Sequence, residues 1–222
     1  MKETIIMIQQ GGILMIPLIL CSITSVTVII ERLISLRTRK IIVPEVLSVI
    51  ENIKTKDDIS LALSVCDKHP GVFSHIIAIG LKNHNLPINE IKEEFIDQGR
   101  QEIRVLERGF IILETIAVIT PILGLLGTVL GMIKVFHIIS ISGVGEATAL
   151  SGGISEALIT TAVGLSIGIP TLVFFNYFSH KSENFILDIE HFSNSLIKKI
   201  KNFKENDVSD IKIKVAKNEI IE

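Results

Sequence analysis

The chain has 222 residues, is 48% hydrophobic with a mean hydropathy of +0.54, and carries a formal net charge of −2. That apolar content is high for a soluble domain of this size and points to a membrane protein. The near-neutral charge lacks the basic footprint that nucleic-acid binding requires.

Residues 1–11 are expected to be a short periplasmic N-terminus. Lys2 and Glu3 cancel, and no small-x-small cleavage site follows the first apolar run, so that run is expected to be a retained helix rather than a signal peptide. Residues 12–30 are the first expected membrane span. A span takes about 20 apolar residues. Cys21 lies in this run and Cys66 in a polar region. Without a CxxC or a metal-ligand cluster, both are read as buried free thiols.

Residues 31–109 are polar and expected to be helical. Pro44 and Pro87 suit first-turn positions, and His69-Pro70-Gly71 marks a turn. From Pro87 onward, Ile88, Ile91, Phe95, Ile103, Leu106 and Phe110 recur near helical spacing. Glu90, Glu93 and Glu94 complement the helix dipole at its start. With only Gly99 and Gly109 as breakers, the pattern predicts one long helix running unbroken into the second span.

The second span is expected over 110–136, a connecting loop over 137–155, and the third span over 156–178. Pro121 and Pro170 sit inside the two spans, which membrane helices tolerate when neighbours satisfy the freed carbonyl; the Ser166 hydroxyl is placed to take part near Pro170. Phe174, Phe175, Tyr177 and Phe178 supply a partial aromatic belt in a chain with no Trp. Residues 179–222 continue the third helix, with Phe185, Ile189, Phe192, Leu196, Ile200 and Phe203 as its apolar stripe, and end in a charged, loose tail from Lys204.

Charge sets an expected orientation. Residues 31–109 hold twelve Lys or Arg and 179–222 hold eight, whereas 137–155 hold none. Arg32, Arg37, Arg39, Lys40, Arg100, Arg104, Arg108 and Lys181 stand near span ends on one side. The positive-inside rule then places the N-terminus outside and both the middle region and the C-terminus in the cytoplasm.

Small residues line the second and third spans. Gly124, Gly127, Thr128 and Gly131 share one face, and Gly153, Ala157, Thr161, Gly164 and Gly168 share another. Such faces let membrane helices pack backbone to backbone. Helix packing accounts for the glycines, but less well for Thr128, Thr160 and Thr161, whose hydroxyls either bond back to their own helix or line a narrow polar route. The carboxylate beside that route would be Glu156. Ionisable groups inside a bilayer are costly and mark ion paths, proton relays or partner contacts; the alternative is an interfacial residue wetted by headgroups. Lys134, at similar depth on the second span, is expected to approach Glu156. Glu114 is expected at the opposite interface or against a neighbouring subunit. Gly164-Leu165-Ser166-Ile167-Gly168 matches a nucleophile elbow, but mid-helix and without a histidine base it is read as accidental. No cofactor, metal or enzyme activity is expected.

Thr120-Pro121-Ile122-Leu123-Gly124-Leu125-Leu126-Gly127-Thr128-Val129-Leu130-Gly131-Met132 resembles the second-span signature of the MotA/TolQ/ExbB proton-channel family. Ile154-Ser155-Glu156-Ala157-Leu158-Ile159-Thr160-Thr161-Ala162-Val163-Gly164-Leu165, continuing through Pro170 to Asn176, resembles its third-span signature. Thr120 stands where alanine is common, and Lys134 is a further departure. The resemblance implies an all-α membrane protein in a ring, typically a pentamer, around two copies of an ExbD- or TolR-like single-span partner. That partner carries the proton-binding aspartate and passes work to a TonB- or TolA-like protein. It implies that Thr128 and Thr161, with Thr160 beside them, line the route near Glu156, and that Gly124, Gly127, Gly131, Gly164, Gly168, Pro121 and Pro170 pack the helices. The driving force would be the membrane potential, about 2.3 kcal/mol per charge per 100 mV. An ExbB-like role in the inner membrane is the preferred reading; a TolQ-like role in envelope maintenance and a passive scaffold are the alternatives.

Overall fold

The computed structural model describes residues 11–36, 41–53, 58–143 and 147–219, with the side chains of 142, 147, 149 and 204–219 left out of the description. Lys2, Glu3, Arg37, Arg39 and Lys40 therefore lie outside the described residues. The described chain is all α-helical: α1 Met15–Ser35, α2 Pro44–Asn52, α3 Asp58–Lys68, α4 Val72–Lys82, α5 Ile88–Leu106, α6 Phe110–Ser142 and α7 Ala147–Glu219. Three stretches are long and apolar enough to cross a membrane, Met15–Ser35, Phe110–Ile141 and Leu150–Phe203. The protein is an all-α membrane protein.

The chain divides into two compact units, one of residues 1–34 and 109–179, the other of 35–108 and 180–222. In the first unit, α1 begins at Met15, not at Gly12. Gly12 has φ +68°, and its carbonyl accepts the Met15 N–H in a turn ahead of the helix. Pro17 falls in the first turn of α1, where its missing N–H has no intrahelical acceptor to lose. Buried Ser25 and Thr171 join α1 to α7 at 2.7 Å. The Thr171 hydroxyl already donates to the Ile167 carbonyl, so Ser25 is the donor. Phe110 stacks on Phe178 with ring centres 6.3 Å apart.

The outward faces of α6 and α7 are apolar, with Ile122, Leu125, Val129 and Ile133 exposed on one and Leu158, Leu165, Ile169 and Val173 on the other. A surface of this kind needs lipid or protein cover rather than water. Cys21 is half-exposed rather than buried.

The second unit is built from α2–α5 and the C-terminal part of α7. Its core includes Phe73, Ile77, Leu81, Ile91, Leu196 and Ile200. The α7 stripe read from the sequence faces inward: Phe185, Ile189, Leu196 and Ile200 are buried, and Phe192 and Phe203 half-buried. Phe73 meets Phe192 edge to face at 5.6 Å. Lys199 donates to the carbonyls of Ile50, at 2.8 Å, and Glu51. Both are orphan acceptors at the C-terminal end of α2, where a cation is favoured. Glu102, buried on α5, accepts from Gln98 at 3.0 Å and meets His75 at 3.0 Å.

Two further expectations are corrected. The helix from Pro87 does not run unbroken into the second span: α5 ends at Leu106, and Gly109 takes φ +85° before α6 begins. A left-handed residue ends a helix, and glycine adopts it without the Cβ penalty. The segment 137–155, expected as a loop, is mostly helical, since α6 continues to Ser142 and α7 starts at Ala147. Its small and polar residues hid the helix from a reading by apolar length.

Candidate functional site

The seam between α6 and α7 is as close as backbone allows. A Cβ built on Gly124 would lie 3.1 Å from the Thr161 Cα, one on Gly131 2.8 Å from the Ala157 Cβ, and one on Gly164 2.5 Å from the Thr120 carbonyl oxygen. A Cβ would force the backbone apart at Gly164 and displace Ala157 at Gly131, and would be tight at Gly124; the two predicted small-residue faces meet each other within one chain. Gly168 receives the Pro121 ring, whose Cγ would sit 2.8 Å from an added Cβ. Pro170 is exposed and is not part of this seam; the next residue, Thr171, is the one turned inward.

At this spacing the hydroxyls of α7 reach main-chain acceptors on neighbouring elements. Thr161 donates to the Gly124 carbonyl at 2.8 Å, an α7-to-α6 bond that is possible only because Gly124 has no side chain. Thr160 is 1% exposed and lies against Gly127. Its single proton is shared between the Glu156 carbonyl at 2.7 Å and the Gly11 carbonyl at 3.0 Å. Both threonines thus spend their protons on carbonyls and keep their oxygen lone pairs as acceptors.

Glu156 stands one turn before Thr160 on the same helix. Its Oε2 accepts from Lys134 Nζ at 2.9 Å, joining α7 to α6 as the sequence analysis anticipated. The carboxylate side chain is 26% exposed and the lysine 62%, so the ammonium flanks a carboxylate that is itself mostly enclosed. On its other side, Glu156 is covered by the turn before α1. A Cβ on Gly12 would fall onto Oε1 and lie 2.9 Å from Cδ.

The other predicted positions divide. Thr128 is half-buried at the flank of the glycine face, and its hydroxyl returns to the Leu125 carbonyl at 2.6 Å, so no described hydrogen bond joins it to Glu156, Thr160 or Thr161. Ser166 donates to the Ala162 carbonyl at 2.7 Å rather than taking part at Pro170. Glu114 is exposed on α6. Sequence reasoning missed Gly11 and Gly12. The signal was a glycine pair at the head of the first apolar run, of which length assigned Gly12 to the helix and left Gly11 in the N-terminal segment. It also missed Ser25 and Thr171, two isolated polar residues whose meeting no spacing rule announces.

Residues 69–191 match the MotA/TolQ/ExbB proton channel family. Similar proteins include two ExbB-like biopolymer transport proteins of Synechocystis sp. The first is 33% identical, covering 75% of this chain and 66% of its own length. The second is 32% identical, covering 77% and 82%. The biopolymer transport protein exbB1 of Vibrio cholerae is 30% identical over 82% of each chain. The chain thus spans just under two thirds of the length of the first of these relatives. The matched region contains both small-residue faces, Lys134, Glu156, Thr160 and Thr161, so the residues that build the α6–α7 seam lie within the shared part. The chain belongs to the MotA/TolQ/ExbB proton channel family.

Proposed function

We propose that this protein is an ExbB-like subunit of an inner-membrane proton channel that couples the proton gradient to transport at the outer membrane. Single-span ExbD-like and TonB-like proteins serve as its partners. The observation that carries the reading is Glu156, a mostly enclosed carboxylate on a spanning helix, held at 2.9 Å by Lys134 and followed by two hydroxyls that keep free acceptor lone pairs. An ionisable group placed so in a membrane helix is a functional group by default. The names of the relatives, biopolymer transport proteins, favour the ExbB-like role.

In this reading Glu156 is the carboxylate of the route, half-buried Thr161 supplies an acceptor for water or hydronium beside it, and enclosed Thr160 lines the route by holding the Gly11 and Glu156 carbonyls. Thr128 forms the flank of the same route on α6. Lys134 tunes the field at the carboxylate. Residues 12–30, 110–136 and 156–178 contain no aspartate, and in this reading the main proton carrier belongs to the partner, with two copies inside a ring of five subunits. Orientation follows the positive-inside rule, with residues 1–11 and the α6–α7 turn periplasmic and residues 31–109 and 179–222 cytoplasmic.

The test is proton flux into liposomes holding this chain with its partner under an imposed potential. Glu156→Gln keeps shape and removes the charge; it is expected to lower flux about a hundredfold, the lower end for losing a positioned proton-transfer group. Unchanged flux in that variant would sink the channel role of Glu156. Flux loss with intact outer-membrane import but defective envelope integrity would point to the TolQ-like role.

A further inference from the structure

We infer that the Gly11–Gly12 turn is a clamp on Glu156 and that Gly12 is a positioning residue for the Lys134–Glu156 pair. The inference deepens the proton-route reading and rests on it for its consequence, though not for its geometry. Three observations converge. Gly12 holds φ +68°, a conformation that side chains rarely adopt, and so brings bare backbone to the carboxylate. The space a Cβ would need there is already taken by Oε1 of Glu156. The turn is also tied from both ends. Gly11 is buried and its carbonyl accepts from Thr160, while the Gly12 carbonyl accepts the Met15 N–H, with Met15 and Leu18 buried just beyond.

Glu156 is therefore gripped on two sides. Lys134 holds one carboxylate oxygen, and the Gly12 backbone limits where the other can go. A glutamate on a helix has several staggered rotamers, and the lysine alone, largely exposed on a flexible stem, would not select one. The backbone of the turn does, because it is anchored through Thr160 to the same helix that carries Glu156. The clamp also ties the first helix to the carboxylate, so a shift of α1 along its axis would move the wall against which Glu156 rests.

A membrane-permeant carbodiimide joins a carboxylate and an amine into an amide only when the two are in contact. Applied to the full chain in membrane vesicles and read by peptide mass spectrometry, it should join Glu156 to Lys134 in the parent. Gly12→Ala is expected to cut that yield about tenfold, the change when an occupied rotamer loses about 1.4 kcal/mol. Gly143→Ala is the control for backbone strain. Gly143 has φ +70° with nothing within 4 Å of an added Cβ, so the yield should hold there.

A parent-like yield in Gly12→Ala overturns the clamp. So does an equal fall in Gly143→Ala, which would mean that strain rather than contact is responsible. Should Gly12→Ala fail to accumulate, Thr160→Val unties Gly11 without changing shape; it should lower the yield, and a parent-like yield there also overturns the clamp. The cross-link does not depend on flux. Unchanged flux in Glu156→Gln would sink the proton-route reading and leave these yields to decide the geometry.

Discussion

Replacing Gly164 by alanine tests whether the α6–α7 seam sets the site. The added Cβ would lie 2.5 Å from the Thr120 carbonyl oxygen and 3.1 Å from the Gly124 Cα. Both neighbours are backbone, so no rotamer change relieves the contact and the helices must part by most of an ångström. The Thr161-to-Gly124 bond, now 2.8 Å, would then stretch past the length at which a hydrogen bond is effective. Overpacking of this kind costs about 1–3 kcal/mol. The lost interhelical bond adds about 0.6 kcal/mol. Alanine returns about 0.5–1 kcal/mol through its better helix propensity. The expected net loss is about 2 kcal/mol. Gly152→Ala is the matched control, because nothing lies within 4 Å of its Cβ and only the propensity gain remains. Reversible unfolding of the purified protein in mixed micelles of mild detergent and SDS, followed by circular dichroism, measures both. Equal stability for the two variants would refute the claim that backbone contact at Gly164 holds the seam.

Lys134→Met removes a pair whose lysine is largely exposed, so stability should change by no more than about 1 kcal/mol while proton flux falls; unchanged flux would remove Lys134 from the site. Burial, with Asp67 beside it and Lys82 opposing, pushes the Cys66 thiol up to about 11. The unfolded chain loses this proton first as pH rises, so the contribution is present below about pH 9 and is lost as pH climbs through 11. Cys66 should therefore resist a maleimide at neutral pH until the second unit unfolds, and fast labelling of the folded protein would contradict its burial. Lys199→Met leaves the Ile50 and Glu51 carbonyls without their cation, and is expected to cost about 1 kcal/mol. Faster amide exchange confined to α2 would report it, and exchange unchanged in α2 would show that the contact carries no stability.

The sequence alone determined the class of this protein, because that class depends on period and length. Three apolar runs of bilayer length, two faces of small residues at helical spacing and a stripe from Phe185 to Phe203 are properties of the chain read in order. They reappear as α1, α6, α7 and the inward side of the second unit. The approach of Lys134 to Glu156 was legible too, since both sit at similar depth on helices whose glycine faces predict close contact.

What only the tertiary structure decided concerns direction and partners across sequence distance. Thr128, four residues from Gly124, shares its face by spacing but lies at the flank and bonds to its own helix. Thr161 crosses to Gly124 because the missing side chain exposes that carbonyl. The break at Gly109 depended on whether a permissive residue takes the left-handed conformation, which glycine allows but does not require. The turn over Glu156 brings Gly11 and Gly12 against residues far along the chain. No local pattern encodes that meeting, because a glycine pair carries no side-chain signature, only the room that another element uses.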